Sequence, residues 1–219
     1  MPAIEPELQA LKDNLLDMLS MVKGQMEKCK QAIVEKDVEI AKQVIDEEKR
    51  INIQELAIDR DCENILALHT PVATDLRLVL ATLKITNDLE RIGDSAKSLA
   101  KMLKGAGKKE LKWMESLQVG DMLDVLISML KDMGTALKKT DTRPALKAVK
   151  KDEELNEHFK NAVKTTATLI LENPDHAKTI LMLLLMVRNL ERSGDLTKNI
   201  SEEIVFQMEA KVLKHKGSK

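Results

Sequence analysis

The chain has 219 residues, a hydrophobic share of 43%, a charged share of 32% and almost no aromatic side chains. This length can bury a sizeable core, as one domain or two small ones. The formal net charge of −1 gives no sign of a nucleic-acid-binding protein, and the many Met, Leu, Lys and Glu residues are typical of an all-helical chain.

In the first half, apolar residues that recur at steps of three and four predict the helices of a bundle. We expect these helices over about 7–35, 37–68 and 74–103. Asp37 is predicted to cap the second helix and Thr74 the third, because short polar side chains accept hydrogen bonds from the free N–H groups of a first turn. Pro71 forces the residue before it out of the helical region and so ends the second helix.

The second half repeats this organisation after a gap rich in glycine and lysine, with the sequence KGAGKKELK at 104–112. Glycine-rich polar gaps mark loops, so we place the boundary between the halves here. Three more helices are predicted over about 116–139, 144–171 and 175–212. The fold expected is therefore all-α: two tandem antiparallel three-helix bundles, spanning 1–105 and 113–212, followed by a basic tail at 213–219.

A short phrase appears once in the last helix of each half. It reads LERIGD from Leu89 and LERSGD from Leu190, and with the following Lys97 and Lys198 six of nine positions recur 101 residues apart. This spacing is too long for a solenoid repeat and indicates a duplicated bundle. The phrase places two like charges four residues apart on one helix face, which costs a few tenths of a kcal/mol. Its glycine costs roughly 0.5–1 kcal/mol more. Two such costs, each incurred twice, suggest a cation or a closely packed helix at that face.

The turn positions predict what lies opposite the first phrase. In an antiparallel hairpin, residues at the same height have a constant sum of residue numbers. With the turn centred on Pro71, Glu90 lies level with Asn52 and Asp94 lies level with Glu48.

The second hairpin, centred between Asn173 and Pro174, returns the same chemistry. Glu191 lies level with Asn156, and Asp195 lies level with Asp152. The halves differ one turn further along, where the first has Glu55 and the second has Phe159.

Each predicted cluster offers three carboxylates and one amide, all of them hard oxygen donors. Such donors suit iron, manganese, magnesium or calcium better than zinc, and neither cluster contains a histidine. The candidate metal ligands are Glu48, Asn52, Glu90, Asp94, Asp152, Asn156, Glu191 and Asp195. The alternative is a set of solvated polar rows, with Arg91, Arg192 or Lys49 as counter-ions.

Other chemistry finds no support in the sequence. No nucleophile–base pair, phosphate-binding glycine loop or dinucleotide fingerprint is recognisable, so we expect a protein that is not an enzyme. Cys29 and Cys62 are isolated within helical patterns and are predicted to be small core residues of a reducing compartment. The longest apolar run, 180–187, is too short to span a bilayer. With no signal peptide recognisable, a cytoplasmic location is expected.

The duplicated LERxGD phrase, carried by the third helix of each bundle, resembles the PhoU family of phosphate-transport accessory proteins. Further segments share the resemblance: Val44 to Asn52, Ala57-Ile58-Asp59, and the run from Thr70 to Val79. The second hairpin departs from the family pattern, because it reads Asn-Pro-Asp-His from Asn173 where the first reads Pro-x-x-x-Asp-Leu-Arg from Pro71.

The resemblance implies a cytoplasmic regulator that acts with a phosphate ABC transporter, through its ATPase subunit, and with a membrane sensor histidine kinase. Such proteins help to keep the phosphate-starvation response off when phosphate is plentiful. The resemblance also implies metal clusters at the acidic phrase and oligomers, often homodimers. Two other interpretations stay open: a metal-binding protein with a storage or redox role, and a plain helical scaffold.

Overall fold

The computed structural model describes residues 4–213, and residues 214–219 of the predicted basic tail lie outside the described residues. The described part is built of α-helices, and their order confirms the all-α prediction. These helices are α1 (Glu5–Glu35), α2 (Val38–His69), α3 (Ala73–Gly105), α4 (Lys108–Ser116), α5 (Val119–Lys139), α6 (Thr142–Glu172) and α7 (Ala177–Glu209), with a 3-10 turn at Pro174–His176.

Helices α1, α2 and α3 pack together as one antiparallel bundle, and α5, α6 and α7 pack as a second. The core is formed by the apolar stripes that the sequence predicts, because each amphipathic helix turns one face towards its two neighbours. In α1 this stripe includes Leu11, Leu15, Met18 and Met26, all of them fully buried. The prediction of two tandem three-helix bundles is confirmed.

The first residues of helices α2 and α3 show how far side-chain capping determines where a helix begins. The Asp37 carboxylate accepts a hydrogen bond from the Glu39 N–H at 2.8 Å, as predicted for an N-cap. The predicted cap at Thr74 is wrong. Helix α3 begins one residue earlier, after Val72, whose side chain makes no capping hydrogen bond. The Thr74 hydroxyl instead accepts from the Arg77 guanidinium at 3.2 Å.

The segment predicted as an open gap between the halves is largely helical, which corrects that prediction. Helix α3 continues to Gly105, and α4 begins at Lys108. The Glu110 carboxylate accepts a hydrogen bond from the Gly107 N–H at 2.9 Å, which stabilises the first turn of α4. Trp113 and Met114 are buried beneath this helix and anchor it to the second bundle.

The two bundles meet along two pairs of antiparallel helices, α1 with α5 and α3 with α7. Lys84 of α3 forms an ion pair at 3.1 Å with Glu203 of α7, near the opposite ends of the two helices. These residue numbers sum to 287, as do those of Gly93 and Gly194. The two copies of the repeated phrase therefore lie opposite one another at the centre of the α3–α7 contact, about a local pseudo-two-fold axis.

Two further expectations concern the core and the membrane. Cys29 and Cys62 are free and buried, as predicted, and desolvation by burial raises the pKa of each thiol to about 12. No helix among residues 4–213 has both the length and the apolar character needed to cross a membrane.

Candidate functional site

The repeated phrase is anchored by its apolar residues and brought close to the neighbouring helix by its glycine. Leu89 and Leu190 are buried in the two bundle cores. A Cβ atom at Gly93 would lie 3.2 Å from the Ile51 side chain of α2, and one at Gly194 would overlap the Leu155 side chain of α6. The glycines thus let the acidic face of each helix approach its partner closely.

In the first bundle, a buried carboxylate forms the floor of the acidic cluster. Glu48 of α2 is only 4% exposed. Its carboxylate pairs with the Lys97 ammonium at 2.8 Å and accepts a hydrogen bond from the Asn52 amide at 2.8 Å. Asp94 lies close enough to Glu48 and Glu90 to affect the pKa of both carboxyl groups. The structure thus brings Glu48, Asn52 and Asp94 together, as the hairpin arithmetic predicts.

The acids of this cluster respond to their surroundings in opposite directions. Burial acts to raise the pKa of Glu48, but hydrogen bonds from Lys97 and Asn52 outweigh it, so the pKa of this carboxyl is lowered. The pKa of Glu90 is raised by burial and then by the negative charges of Asp94, Glu55 and Glu48. Glu90 is therefore an acid whose ionisation is opposed by its neighbours.

The second bundle repeats the arrangement around Asp152, which is 3% exposed on α6. The Lys198 ammonium lies 3.3 Å from its carboxylate. Burial, followed by the charge of Asp152, raises the pKa of Asp195. Burial also raises the pKa of Glu191, although the nearby Arg188 opposes this effect. Asn156 lies one turn beyond Asp152 and is half-buried.

One feature of the second cluster was missed at the level of sequence. The Arg188 guanidinium lies over the Phe159 ring, 5.0 Å from its centroid, and its Nε atom lies 3.4 Å from a Glu191 carboxylate oxygen. The first half has Asn87 at the position equivalent to Arg188 and Glu55 at the position equivalent to Phe159. The second cluster has therefore exchanged one acid for an aromatic ring and gained a cation.

The lysines that follow the repeated phrase form ion pairs that are not among the sequence predictions. The sequence predicts Arg91, Arg192 or Lys49 as counter-ions, and the charges of the two arginines do act on acids of the two phrases. The ion pairs with the buried acids are formed by Lys97 and Lys198. Their recurrence three residues after the phrase was the available signal. On a helix, this offset places a lysine on the same face as the phrase aspartate.

The chemistry of the donors fits a hard cation. Two buried oxygens in the clusters have neither a hydrogen-bond nor an ion-pair partner: Asn52 Oδ1 and Asp152 Oδ1. The buried Glu191 Oε2 faces the Arg188 Nε atom at 3.4 Å. Buried acceptors without partners are costly, and a cation would satisfy them. As the side chains lie, however, no three His, Cys, Asp or Glu residues within 4–213 are grouped as ligands of a single metal ion. The ammonium groups of Lys97 and Lys198 provide the positive charge.

The fold and the site thus define a class: a duplicated helical bundle with a carboxylate-rich face on the last helix of each repeat. The sequence model of the PhoU domain matches residues 15–103 and again residues 119–204. The chain belongs to the PhoU family.

Similar proteins support this assignment along almost the whole chain. The phosphate-specific transport system accessory protein PhoU homolog of Pseudomonas putida is 32% identical over 216 residues, which cover 97% of this chain and 83% of that protein. The accessory protein PhoU of Escherichia coli K12 is 30% identical over 212 residues, covering 96% and 87% of the two chains.

Solved structures show the same architecture. The crystal structure of PhoU from Pseudomonas aeruginosa superposes with a TM-score of 0.86 at 29% identity, covering 95% of this chain and 100% of that chain. The phosphate transport system regulatory protein PhoU from Streptococcus pneumoniae gives a TM-score of 0.81 at 26% identity, covering 96% and 99%.

Proposed function

We propose that this protein is a non-enzymatic regulator of phosphate uptake that works as an accessory to a phosphate-specific transport system. The observation that carries the proposal is the match of both repeats to the PhoU domain. Two relatives named as accessory proteins of that system are also similar over 97% and 96% of this chain. A protein of this kind acts by binding its partners and shifting their conformational equilibria.

The proposed partners are the ATPase subunit of the phosphate ABC transporter and a sensor histidine kinase. By reporting the state of the transporter to the kinase, the protein would keep the phosphate-starvation response off when phosphate is plentiful. We place it in the cytoplasm, acting as a homodimer that reaches the membrane only through these partners. The lack of a membrane-crossing helix among residues 4–213 is compatible with this location.

Co-purification tests the proposal directly. The full chain, carrying an affinity tag, is expressed together with the transporter ATPase and, separately, with the cytoplasmic part of the sensor kinase. We expect at least one of them to be retained at stoichiometric levels. Failure to retain either partner at high protein concentration, with the chain folded by circular dichroism, would overturn the proposal.

We further propose that the acidic clusters hold hard metal cations, such as iron, manganese or magnesium, as part of this regulation. Glu48, Asn52, Glu90 and Asp94 would hold the cation in the first bundle, and Asp152, Asn156, Glu191 and Asp195 in the second. A bound cation would supply positive charge between two helices. The chain's own residues would provide oxygen ligands and exclude water from the buried Glu48 and Asp152.

The first bundle is the better candidate for this role. It has four acids, Glu48, Glu55, Glu90 and Asp94, beside the ammonium of Lys97. The second has three acids, and Arg188 as well as Lys198 offsets their charge. Because hard cations are held mainly by negatively charged oxygens, the first cluster should bind them more strongly.

A further inference from the structure

Arg91 and Arg192, the arginines of the two phrases, are not among the candidate metal ligands. Both line one cleft. This cleft, with a volume of about 240 Å³, opens between α3 and α7 at the seam of the two bundles. Arg91, Ser95 and Ser98 line it from α3, and Asn189 and Arg192 line it from α7. Asp94 and Leu196 complete the lining.

The pseudo-two-fold axis explains why the two arginines share a cleft. Arg91 and Arg192 occupy the same position of the phrase, two residues before Gly93 and Gly194. Because α3 and α7 run antiparallel with these glycines at the same height, the two arginines approach the crossing from opposite directions. Arg91, Asp94 and Arg192 of the two phrases therefore line the cleft between the bundles.

The polar groups of the cleft are suited to a tetrahedral oxyanion. A guanidinium is a planar fork of N–H donors that matches two oxygens of a phosphate group. The Ser98 hydroxyl and the Asn189 amide add neutral donors. Arg91 is half-exposed, and its guanidinium lies 3.6 Å from the largely buried Asp88 carboxylate in the same helix, which is longer than a hydrogen bond. The energetic cost of turning Arg91 towards a ligand is therefore small.

The size and the charge of the cleft restrict the chemical class of ligand that it can bind. Two guanidinium groups against the single carboxylate of Asp94 leave the lining with a net positive charge. The volume of the cleft is below the roughly 300–1,000 Å³ of pockets that enclose drug-sized ligands. A small inorganic anion fits this space better than a nucleotide. We infer that Arg91 and Arg192 form a binding site for free inorganic phosphate at the seam between the two repeats.

This inference deepens the proposed function and rests on it for its biological meaning, because a regulator of phosphate uptake would then read phosphate directly. Asp94 links the site to the first acidic cluster, since it lines the cleft and its charge acts on Glu90 of that cluster. A cation held beside Asp94 by the acidic cluster would offset the one negative charge in the lining of the cleft. Occupation of the cluster and of the cleft should therefore favour each other.

Calorimetric titration of the full chain with inorganic phosphate, at constant ionic strength, tests the site. We expect saturable binding by the wild-type protein and at least a tenfold loss of affinity in the Arg91→Gln/Arg192→Gln variant, since that variant loses the charge-assisted hydrogen bonds of both guanidinium groups. The matched control is Arg60→Gln, an exposed arginine of α2 outside the cleft, which should bind as the wild type does.

Two further arms keep the result interpretable. The Arg91→Lys/Arg192→Lys variant keeps both charges but loses the planar guanidinium donors, so we expect an affinity between those of the wild type and the glutamine variant. This variant tests the site even if the glutamine variant folds poorly. Titration with ATP distinguishes a free anion from a nucleotide phosphate and should show much weaker binding. No saturation with phosphate, equal affinity in wild type and the arginine variants, or tighter binding of ATP would each overturn the inference.

Failure here is distinguishable from failure of the proposed function. If the chain co-purifies with the transporter ATPase or the kinase but does not bind phosphate, only the oxyanion site is rejected. If it binds phosphate but retains neither partner, the site stands and the regulatory proposal falls.

Discussion

The ammonium of Lys97, on α3, lies 2.8 Å from the carboxylate of Glu48, on α2. Lys198 approaches Asp152 in the same way in the second bundle, at 3.3 Å. Each pair joins a buried acid of the middle helix to a lysine one turn beyond the phrase glycine. Because the two acids are buried, loss of the lysine partner should destabilise the folded protein more than loss of a partner in an exposed ion pair.

Replacing Lys97 with Met should destabilise the folded protein. Glu48 would then keep its charge without its cation, and an unsatisfied buried charged group costs about 1–3 kcal/mol or more. Thermal unfolding measures the loss, and Lys97→Met/Glu48→Gln should recover part of it. Lys23→Met, which removes an exposed pair with Glu27, is the control and should cost less than about 0.5 kcal/mol. Equal melting of the two lysine variants would contradict the role given to Lys97.

Replacing Glu90 with Gln should stabilise the metal-free protein at neutral pH. In the fold, burial and neighbouring acids raise the pKa of Glu90, so the folded chain holds this proton to higher pH than the unfolded chain does. The free energy of unfolding therefore falls as pH rises from the ordinary carboxyl range through the raised pKa. At pH 7 the Gln variant should gain about 0.5 kcal/mol, which is about 1–2 °C in melting temperature.

The pH profile separates this effect from a change in helix propensity. The advantage of Glu90→Gln should disappear below about pH 4, where both states of the wild type are protonated. The contribution of Glu48 to stability has the opposite pH dependence. Its lowered pKa makes a stabilising contribution that is present above the ordinary range and is lost as pH falls through the lowered value. Exposed Glu153→Gln is the control, and a pH-independent gain in Glu90→Gln would show that desolvation and repulsion are not its cause.

Alanine at the two phrase glycines should have unequal effects. At Gly194 a Cβ would overlap the Leu155 side chain, whereas at Gly93 it would lie 3.2 Å from Ile51 Cδ1. Overpacking costs about 1–3 kcal/mol, so Gly194→Ala should be destabilised and Gly93→Ala less so. At Gly24 a Cβ would meet nothing within 4 Å, so Gly24→Ala should be more stable by about 0.5–1 kcal/mol. Chemical denaturation ranks the three, and stabilisation by Gly194→Ala would refute the close approach of α7 and α6.

Elemental analysis of protein purified without chelator or affinity metal should find a hard cation such as iron or manganese. Glu90→Gln/Asp94→Asn/Glu191→Gln/Asp195→Asn should lose it. Of the two half variants, Glu90→Gln/Asp94→Asn should lose more, because Phe159 and Arg188 weaken the second cluster. Glu153→Gln/Glu154→Gln, on the exposed face of α6, controls for net charge. Metal retained in full by the four-residue variant would place it elsewhere, and its absence from all preparations would leave the acids as packing groups.

Much of the fold could be predicted because it rests on local periodicity. The apolar stripe of α1 and the Asp37 cap follow from spacing and side-chain chemistry alone. Helix α4 could not be predicted in the same way. Lysine is its most frequent residue and two glycines precede it. Its stability comes from burying Trp113 and Met114 against the second bundle, a tertiary contact that periodicity does not report.

The sequence predicts where the acids of the candidate site lie, but not which cationic side chains pair with them. Hairpin arithmetic places Glu48 opposite Asp94 because the loops are short and both helices are regular. It cannot choose among cations that reach the same acid, since a lysine or arginine side chain spans more than one turn. The recurrence of Lys97 and Lys198 after the phrase is a sequence signal for the lysines, whereas the position of Arg188 over Phe159 emerges only when its rotamer is known. The cleft between Arg91 and Arg192 depends on how one bundle packs on the other, which hairpin arithmetic within a single repeat cannot reach.

The antiparallel α3–α7 contact also bears on how the two repeats diverged. A single repeat that paired with its own copy would form the same contact as a symmetric homodimer, and any substitution would then alter both acidic clusters at once. Covalent fusion of the two repeats removes that restriction. One cluster has Phe159 and Arg188 where the other has Glu55 and Asn87. The joined chain thus keeps the geometry of a symmetric pair while its two sites are free to acquire different affinities.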